Sequence, residues 1–485
     1  MLGASMVRLK DQSRAEGVDQ IDLLEWHPGA APAKGVTSWL VDGLRAAISD
    51  GRLAVGARLP ATRVLAGDLG LSRGVVVEAY QRLTDEGLLS GRTGAGTVVT
   101  GLAGRPLGVT RPRAESGMRL PLPPSPGIDL DLAPGVPDLS AFPRAAWLRA
   151  ERAVLAAATN ADLGYGDPRG GPRLRAELAG WLARTRGVRA GADDLIVVGG
   201  VAQALALLSQ TLRARGVTQV AVEDPGSRGT RDELAHWGLQ PVPVPVDDQG
   251  LRVDRLAATG LGTVLLTPAH QFPTGVVLSP ARRRALLQRP GLIIEDDYDA
   301  EHRYDRAPVA AVQASAPDRV AYAGSVSKSL APGMRLGWLI PPRELHAELV
   351  TAKHASDLGN PALPQLIFAH LLAGGDYERH LRTVRRRQHR RRDALLHGLR
   401  EHLPQARVEG VAAGLHLLVT LPGPADDTEL AARLEQCGVR THPLSWHRQL
   451  DGPPGLVLGY AALPPDRLLE AARRMGRTLG AQRAR

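Results

Sequence analysis

Gly324-Ser325-Val326-Ser327-Lys328-Ser329, continuing as Leu330-Ala331-Pro332-Gly333-Met334-Arg335, sets one lysine among small hydroxyl residues. An arginine follows about two helical turns of sequence further on. An unprotonated lysine there can form a Schiff base with an aldehyde. The hydroxyls and the guanidinium can hold a phosphate beside it. Pyridoxal phosphate asks for both, and for a carboxylate at its ring nitrogen. Such a carboxylate closes an apolar run upstream, Gly291-Leu292-Ile293-Ile294-Glu295-Asp296-Asp297-Tyr298.

Around these two segments, from Ile128 on, short apolar runs alternate with amphipathic helices. Leu195–Val198, Gln219–Glu223, Thr263–Leu266 and Leu292–Ile294 read as buried parallel strands. The alternation predicts an open α/β sheet with ligands at the C-terminal strand ends. Gly199-Gly200-Val201-Ala202-Gln203 joins a strand to a helix over 201–215, whose first amides are free to bind phosphate. Asp296 stands at a strand end, where a carboxylate faces a ring nitrogen. From Asp376 to Arg392 runs an arginine-rich helix, with eight arginines between Arg379 and Arg392. A solvated face is one reading of it; a path for DNA is the other. A smaller α/β unit follows, through Leu415–Val419 and Gly455–Gly459.

The N-terminal part has a different plan. Val36, Leu40, Leu44, Ala47 and Ile48 share one helix face, and Gly51 is a stop signal. A turn over 55–60 leads to a second helix, Thr62–Leu69. Gly70-Leu71-Ser72 is a tight turn with a serine N-cap. A third helix from Arg73 lines up Val76, Ala79, Tyr80 and Leu83, then ends at Gly87. Leu88–Val99, with glycines at 91, 94 and 96, reads as a β-hairpin. Three helices and a hairpin predict a winged helix-turn-helix. The domains expected are an extension over 1–34, this unit over 35–102, a Pro/Arg-rich spacer over 103–127, and an α/β body over 128–485 whose small subdomain begins near 376.

The bulk numbers agree with a soluble, polyanion-binding chain. It has 485 residues, 44% of them hydrophobic, and a net charge of +10, with a pI near 10.3. Cys437 is its one cysteine, so no internal disulfide forms. Charged residues occupy the start of the chain and no apolar run approaches a membrane span, so a cytoplasmic location is expected.

Specific motifs carry a resemblance. Arg58-Leu-Pro-Ala-Thr-Arg63, Leu71-Ser-Arg73, Glu78-Ala-Tyr80 and Gly94-Ala-Gly96-Thr97 resemble the DNA-binding domain of the GntR family. Tyr165-Gly-Asp-Pro-Arg-Gly170, Glu223-Asp-Pro-Gly226, His270-Gln-Phe-Pro-Thr-Gly275, the run Glu295–Tyr304 and the Lys328 segment resemble the fold-type I aminotransferases. Together the chain resembles the MocR subfamily of GntR regulators. The resemblance implies that Arg58, Arg63, Ser72, Arg73, Gly94 and Gly96 meet DNA. It implies that Lys328 holds the internal aldimine of pyridoxal 5'-phosphate, Asp296 pairs with the pyridinium nitrogen, and Tyr298 reaches the ring hydroxyl. Ser325, Ser327, Arg335 and the amides of Val201 and Ala202 hold the phosphate. Tyr165 reaches the phosphate of a partner subunit, which implies a homodimer.

Three departures stand out. Val75 replaces a common threonine of the DNA-binding domain. Ser227 replaces an aromatic that stacks on the ring in many relatives. Val457 replaces an arginine that often grips a substrate carboxylate, with Arg228 or Arg231 as candidate substitutes. The expectation is a regulator that reads a DNA operator and senses pyridoxal phosphate, controlling vitamin B6 synthesis or salvage. The alternatives are a sensor of an amine or amino acid, a working aminotransferase with a DNA-binding head, and a DNA-binding protein with a cofactor-free body. His270 and His302 have no second ligand at a metal-like spacing, so no metal is expected.

Overall fold

The computed structural model describes residues 31–92, 96–100, 127–299, 301–304, 309–410, 412–422 and 426–480. The chain divides into two compact units, 1–115 and 116–485. Gly94 and nearly all of the 1–34 and 103–127 segments lie outside the described residues.

In the first unit α1 (Val36–Ser49), α2 (Thr62–Leu69) and α3 (Arg73–Asp85) enclose one core. Leu40, Leu44 and Ile48 of α1 meet Val76, Tyr80 and Leu83 of α3, as the helical period demands. The hairpin forms from β2 (Leu89–Arg92) and β3 (Gly96–Val99). The segment before α2 is more than a turn: β1 (Arg58–Leu59) pairs antiparallel with β3, giving a three-stranded sheet. Two residues are too few to show a period, which is why the strand is invisible in sequence.

The second unit opens with the two-residue strand β4 (Leu130–Asp131) and is built on an eight-stranded sheet. Its strands are β5 (Ile196–Val198), β6 (Gln219–Asp224), β7 (Gln240–Asp247), β8 (Gly250–Leu251), β9 (Thr263–Leu266), β10 (Leu292–Asp297), β11 (Val320–Ser325) and β12 (Gly337–Ile340). Their order is β5-β12-β11-β10-β9-β6-β7-β8. The centre is parallel, as the apolar runs predict, but β12 runs antiparallel to both of its neighbours. Helices cover both faces, among them α4 (Arg144–Ala157), α5 (Pro172–Arg186), α6 (Val201–Ala214), α7 (Arg228–His236), α8 (Arg343–Asp357) and α9 (Ala362–Ala373). The 27-residue α10 (Asp376–His402) leads into an antiparallel sheet of β13 (Arg407–Glu409), β14 (His416–Thr420), β15 (His442–Pro443) and β16 (Leu456–Gly459). This sheet shares a core with α10 and with α11 (Pro465–Gly480).

Candidate cofactor cavity and DNA-facing surface

A cavity of about 370 Å³ opens at the C-terminal ends of β10 and β11. Gly200, Val201, Ala202, Ser325, Ser327 and Arg335 line one part of it; Asp296, Tyr298, Lys328 and His416 line another. Eight of the nine predicted cofactor residues therefore converge. Tyr165 stands apart: it is 94% exposed and borders a second cavity with Leu163, Leu358 and Asn360.

Strand geometry sorts the three acids at the end of β10. Successive side chains point to opposite faces. Glu295 turns inward and accepts the amides of Val312 and Gln313 at 2.9 and 3.0 Å. Asp297 turns the same way and pairs with Arg186 at 2.7 Å. Asp296 alone turns into the cavity. Its Oδ1 is buried without a hydrogen-bond partner. Burial pushes this carboxyl up to about 7; Asp297 and Asp299 add to the effect and Lys328 opposes it. A buried carboxylate oxygen with no donor is costly, so the position suits a cationic N–H donor brought by a ligand.

Lys328 follows β11 and donates to the carbonyl of Gly135 at 2.5 Å. Burial lowers its pKa, against the pull of Asp299 and Asp296. The lysine thus gives up its proton more readily than an exposed one, as a nucleophile must. Tyr298 meets Nδ1 of His270 at 3.0 Å, and the same nitrogen lies 2.8 Å from Asp299. Burial works against ionised Asp299, but His270 beside it holds the carboxyl below its usual range.

At the other end, the first amides of α6 have no acceptor inside the helix. Gly200 has φ 117°, and a Cβ there would come within 3.4 Å of an Arg335 guanidinium nitrogen. Only glycine lets that arginine lie against the turn. Ser325, Ser327, two free amides and one guanidinium together have the character of a phosphate cup.

Sequence spacing concealed three features. His416 closes a cluster with His270 and Asp299, their ligating atoms within 4.8 Å of one another. Gly414 packs directly on it: a Cβ there would lie 2.0 Å from the His270 ring. Burial lowers His416 to about 3, so it is neutral. Second, of the two candidate substitutes for the missing arginine, Arg231 is spent on backbone carbonyls and Arg228 is not among the residues that line the cavity. Arg231 donates to the carbonyls of Gly226, Trp446 and His447, and Arg228 faces Asp232 at 3.6 Å. Val457 packs with Leu418, Leu444 and Phe272 in an apolar cluster. Third, Ser227 caps α7 by accepting the Thr230 amide at 3.2 Å, which gives the serine a local role.

On the first unit, Arg58, Arg63, Ser72, Arg73 and Gly96 are all exposed. Among the described residues Arg58, Arg63 and Arg73 have no acidic partner, whereas Arg45 and Arg82 are paired with carboxylates. Ser72 takes the N-cap position of α3, but its hydroxyl makes no capping bond. Tyr80 anchors α3 by donating to the carbonyl of Pro60 at 2.9 Å.

The family model for aminotransferase class I and II matches residues 128–478. That for bacterial regulatory proteins of the gntR family matches residues 38–99. The chain is 32% identical over 455 residues to the probable rhizopine catabolism regulatory protein MocR of Rhizobium meliloti, covering 89% of this chain and 91% of that one. It is 33% identical over 442 residues to the HTH-type pyridoxine biosynthesis transcriptional regulator PdxR of Corynebacterium glutamicum, covering 89% and 93%. Among solved structures, kynurenine aminotransferase of Pyrococcus horikoshii, in complex with PMP, superposes with a TM-score of 0.67 at 27% identity. That match covers 73% of this chain and 91% of that one.

Proposed function

The chain belongs to the MocR subfamily of GntR transcriptional regulators, and from that premise we propose that it senses pyridoxal 5'-phosphate and controls vitamin B6 synthesis or salvage. Its cofactor is pyridoxal 5'-phosphate, which supplies an aldehyde for an amine and a pyridinium ring that accepts electrons. Lys328 is the residue that engages the aldehyde, and its lowered pKa favours the reactive neutral amine. Asp296 faces the ring nitrogen and Tyr298 the ring hydroxyl. Ser325, Ser327, Arg335 and the amides of Val201 and Ala202 receive the phosphate. Tyr165 contributes to the cavity of a partner subunit, which makes the working form a homodimer. Arg58, Arg63, Ser72, Arg73 and the wing glycines meet the operator.

One observation carries the choice of effector. Among the described residues lining the cavity, Lys328 and Arg335 are the only lysine and arginine. Arg335 belongs to the phosphate cup, so no guanidinium is left for a substrate carboxylate. A bidentate arginine is what orients an amino acid for turnover. The cavity therefore favours the vitamer itself, and the name of the PdxR relative points the same way. The name of the MocR relative supports a second reading, control of amine catabolism.

A ligand alters DNA affinity only by favouring one arrangement of the protein over another. Sequencing the DNA recovered with the protein from cells tests the assignment. Sites beside vitamin B6 synthesis or salvage genes are expected. Sites confined to amine or amino-acid catabolic genes would transfer the conclusion to the second reading.

A further inference from the structure

Lys353, on the last turns of α8, is 0% exposed. A buried ammonium is expensive unless it is paired and hydrogen-bonded. This one is 2.5 Å from Asp357 Oδ2, 2.6 Å from Asn360 Oδ1 and 3.2 Å from Gln203 Oε1. An ammonium has three protons, and each has an acceptor.

Every acceptor also leads toward the phosphate cup. Gln203 Oε1 accepts the amide of Gly199 at 2.7 Å, and Gln203 Nε2 donates to Asp357 at 2.7 Å. The strand-to-helix turn that offers the Val201 and Ala202 amides is thereby tied down. Asn360 donates to the carbonyl of Arg335 at 3.4 Å. Arg335 has φ 47°, a left-handed conformation that a non-glycine residue keeps only when held. The amide of Gly359 closes the loop on Asp357 at 3.0 Å. None of these four side chains lines the cofactor cavity, so none is positioned to touch a ligand there.

We infer that Lys353 is a positioning residue for the phosphate cup: it locks the α6 amides and the Arg335 backbone in one arrangement, and so sets the preference for phosphorylated over unphosphorylated pyridoxal. The inference rests on the reading that this cavity takes pyridoxal phosphate. A lysine serving the general fold would affect both forms of the vitamer alike. A lysine shaping the cup affects the phosphate form selectively.

The test compares dissociation constants for pyridoxal phosphate and pyridoxal, by cofactor absorbance and equilibrium dialysis on the full chain. Lys353→Met removes the ammonium but strands Asp357. The double variant Lys353→Met with Asp357→Asn removes that unpaired carboxylate charge as well, and serves if the single variant fails to fold. The expected result is a loss of roughly tenfold or more in pyridoxal phosphate affinity, the range seen when the outer supports of a ligand site are removed. Pyridoxal affinity stays close to wild type, so the ratio collapses. Equal losses for both ligands, or none for either, overturn the inference. Wild-type protein that takes up neither ligand overturns the reading of the cavity and this inference with it.

Discussion

Glu295, Asp296 and Asp297 are neighbours in sequence with three different tasks. Two of them are satisfied by the protein itself, through backbone amides and Arg186. Asp296 is left with an unpartnered oxygen in the cavity. Its carboxyl rises from an ordinary 3.8 to about 7 on folding. A group raised in this way favours the fold while protonated and loses that contribution as pH climbs through its folded value. In cofactor-free protein, Asp296→Asn should therefore gain stability relative to wild type as pH rises from 4 to 7, by up to a few kcal/mol at about 1.4 kcal/mol per pH unit. Urea unfolding at several pH values measures this; a pH-independent offset would contradict it. Gly74 makes a second case. It lies in α3 with an ordinary φ, and a Cβ there would meet only Ser72 Oγ at 3.9 Å. Gly74→Ala should raise the melting point of the first unit, worth up to about 1 kcal/mol of helix propensity. A lower melting point would mean that the glycine serves the fold.

Among the elements, α5 and β10 are joined by a buried pair. Arg186 and Asp297 are 2% and 3% exposed at their side chains, and Tyr322 also donates to Asp297. Breaking such a pair leaves a charge in the interior and costs about 3–5 kcal/mol. Arg186→Met should destabilise the second unit by that order in chemical denaturation, and adding Asp297→Asn should return part of the loss. If the single variant is as stable as wild type, the pair is not the tie between these elements. The same pair marks where sequence reading stops. Its partners are 111 residues apart, and Lys353 and Gln203 are 150 apart; no local period links them. Short-range chemistry was legible: the glycine turn before α6, the hydroxyl–lysine segment after β11 and the acid at the end of β10. β7 escaped notice for another reason. Pro241, Pro243 and Pro245 interrupt it, a pattern that normally excludes a strand. Here β7 pairs with β6 from Gln240 to Pro245, and β8 pairs only with its last two residues, Val246 and Asp247. Three missing donors fall at alternate positions, which is tolerable on an edge. The arginine helix also changes character in three dimensions. Arg385 is spent on a backbone carbonyl, Arg387 on Asp138, and Arg391 on Asp138 and a carbonyl. Much of its charge serves the fold.

At the scale of the molecule, two units with separate cores share one chain. One carries exposed arginines, Arg58, Arg63 and Arg73, that have no acidic partner among the described residues; the other carries a cavity lined by Lys328, by Asp296 with its unpartnered oxygen, and by Ser325, Ser327 and Arg335. The sequence made this division readable because each unit has its own hydrophobic period. It did not reveal how occupancy of the cavity reaches the DNA, since coupling is a difference between arrangements rather than a property of any one residue. The direct measurement is operator affinity of the full chain, with and without pyridoxal phosphate, for wild type and Lys328→Ala at one fixed salt concentration. The cofactor is expected to shift wild-type affinity by about five- to 150-fold, the usual range of coupling between sites, while Lys328→Ala responds far less. Superimposable binding curves for wild type with and without the cofactor would contradict it.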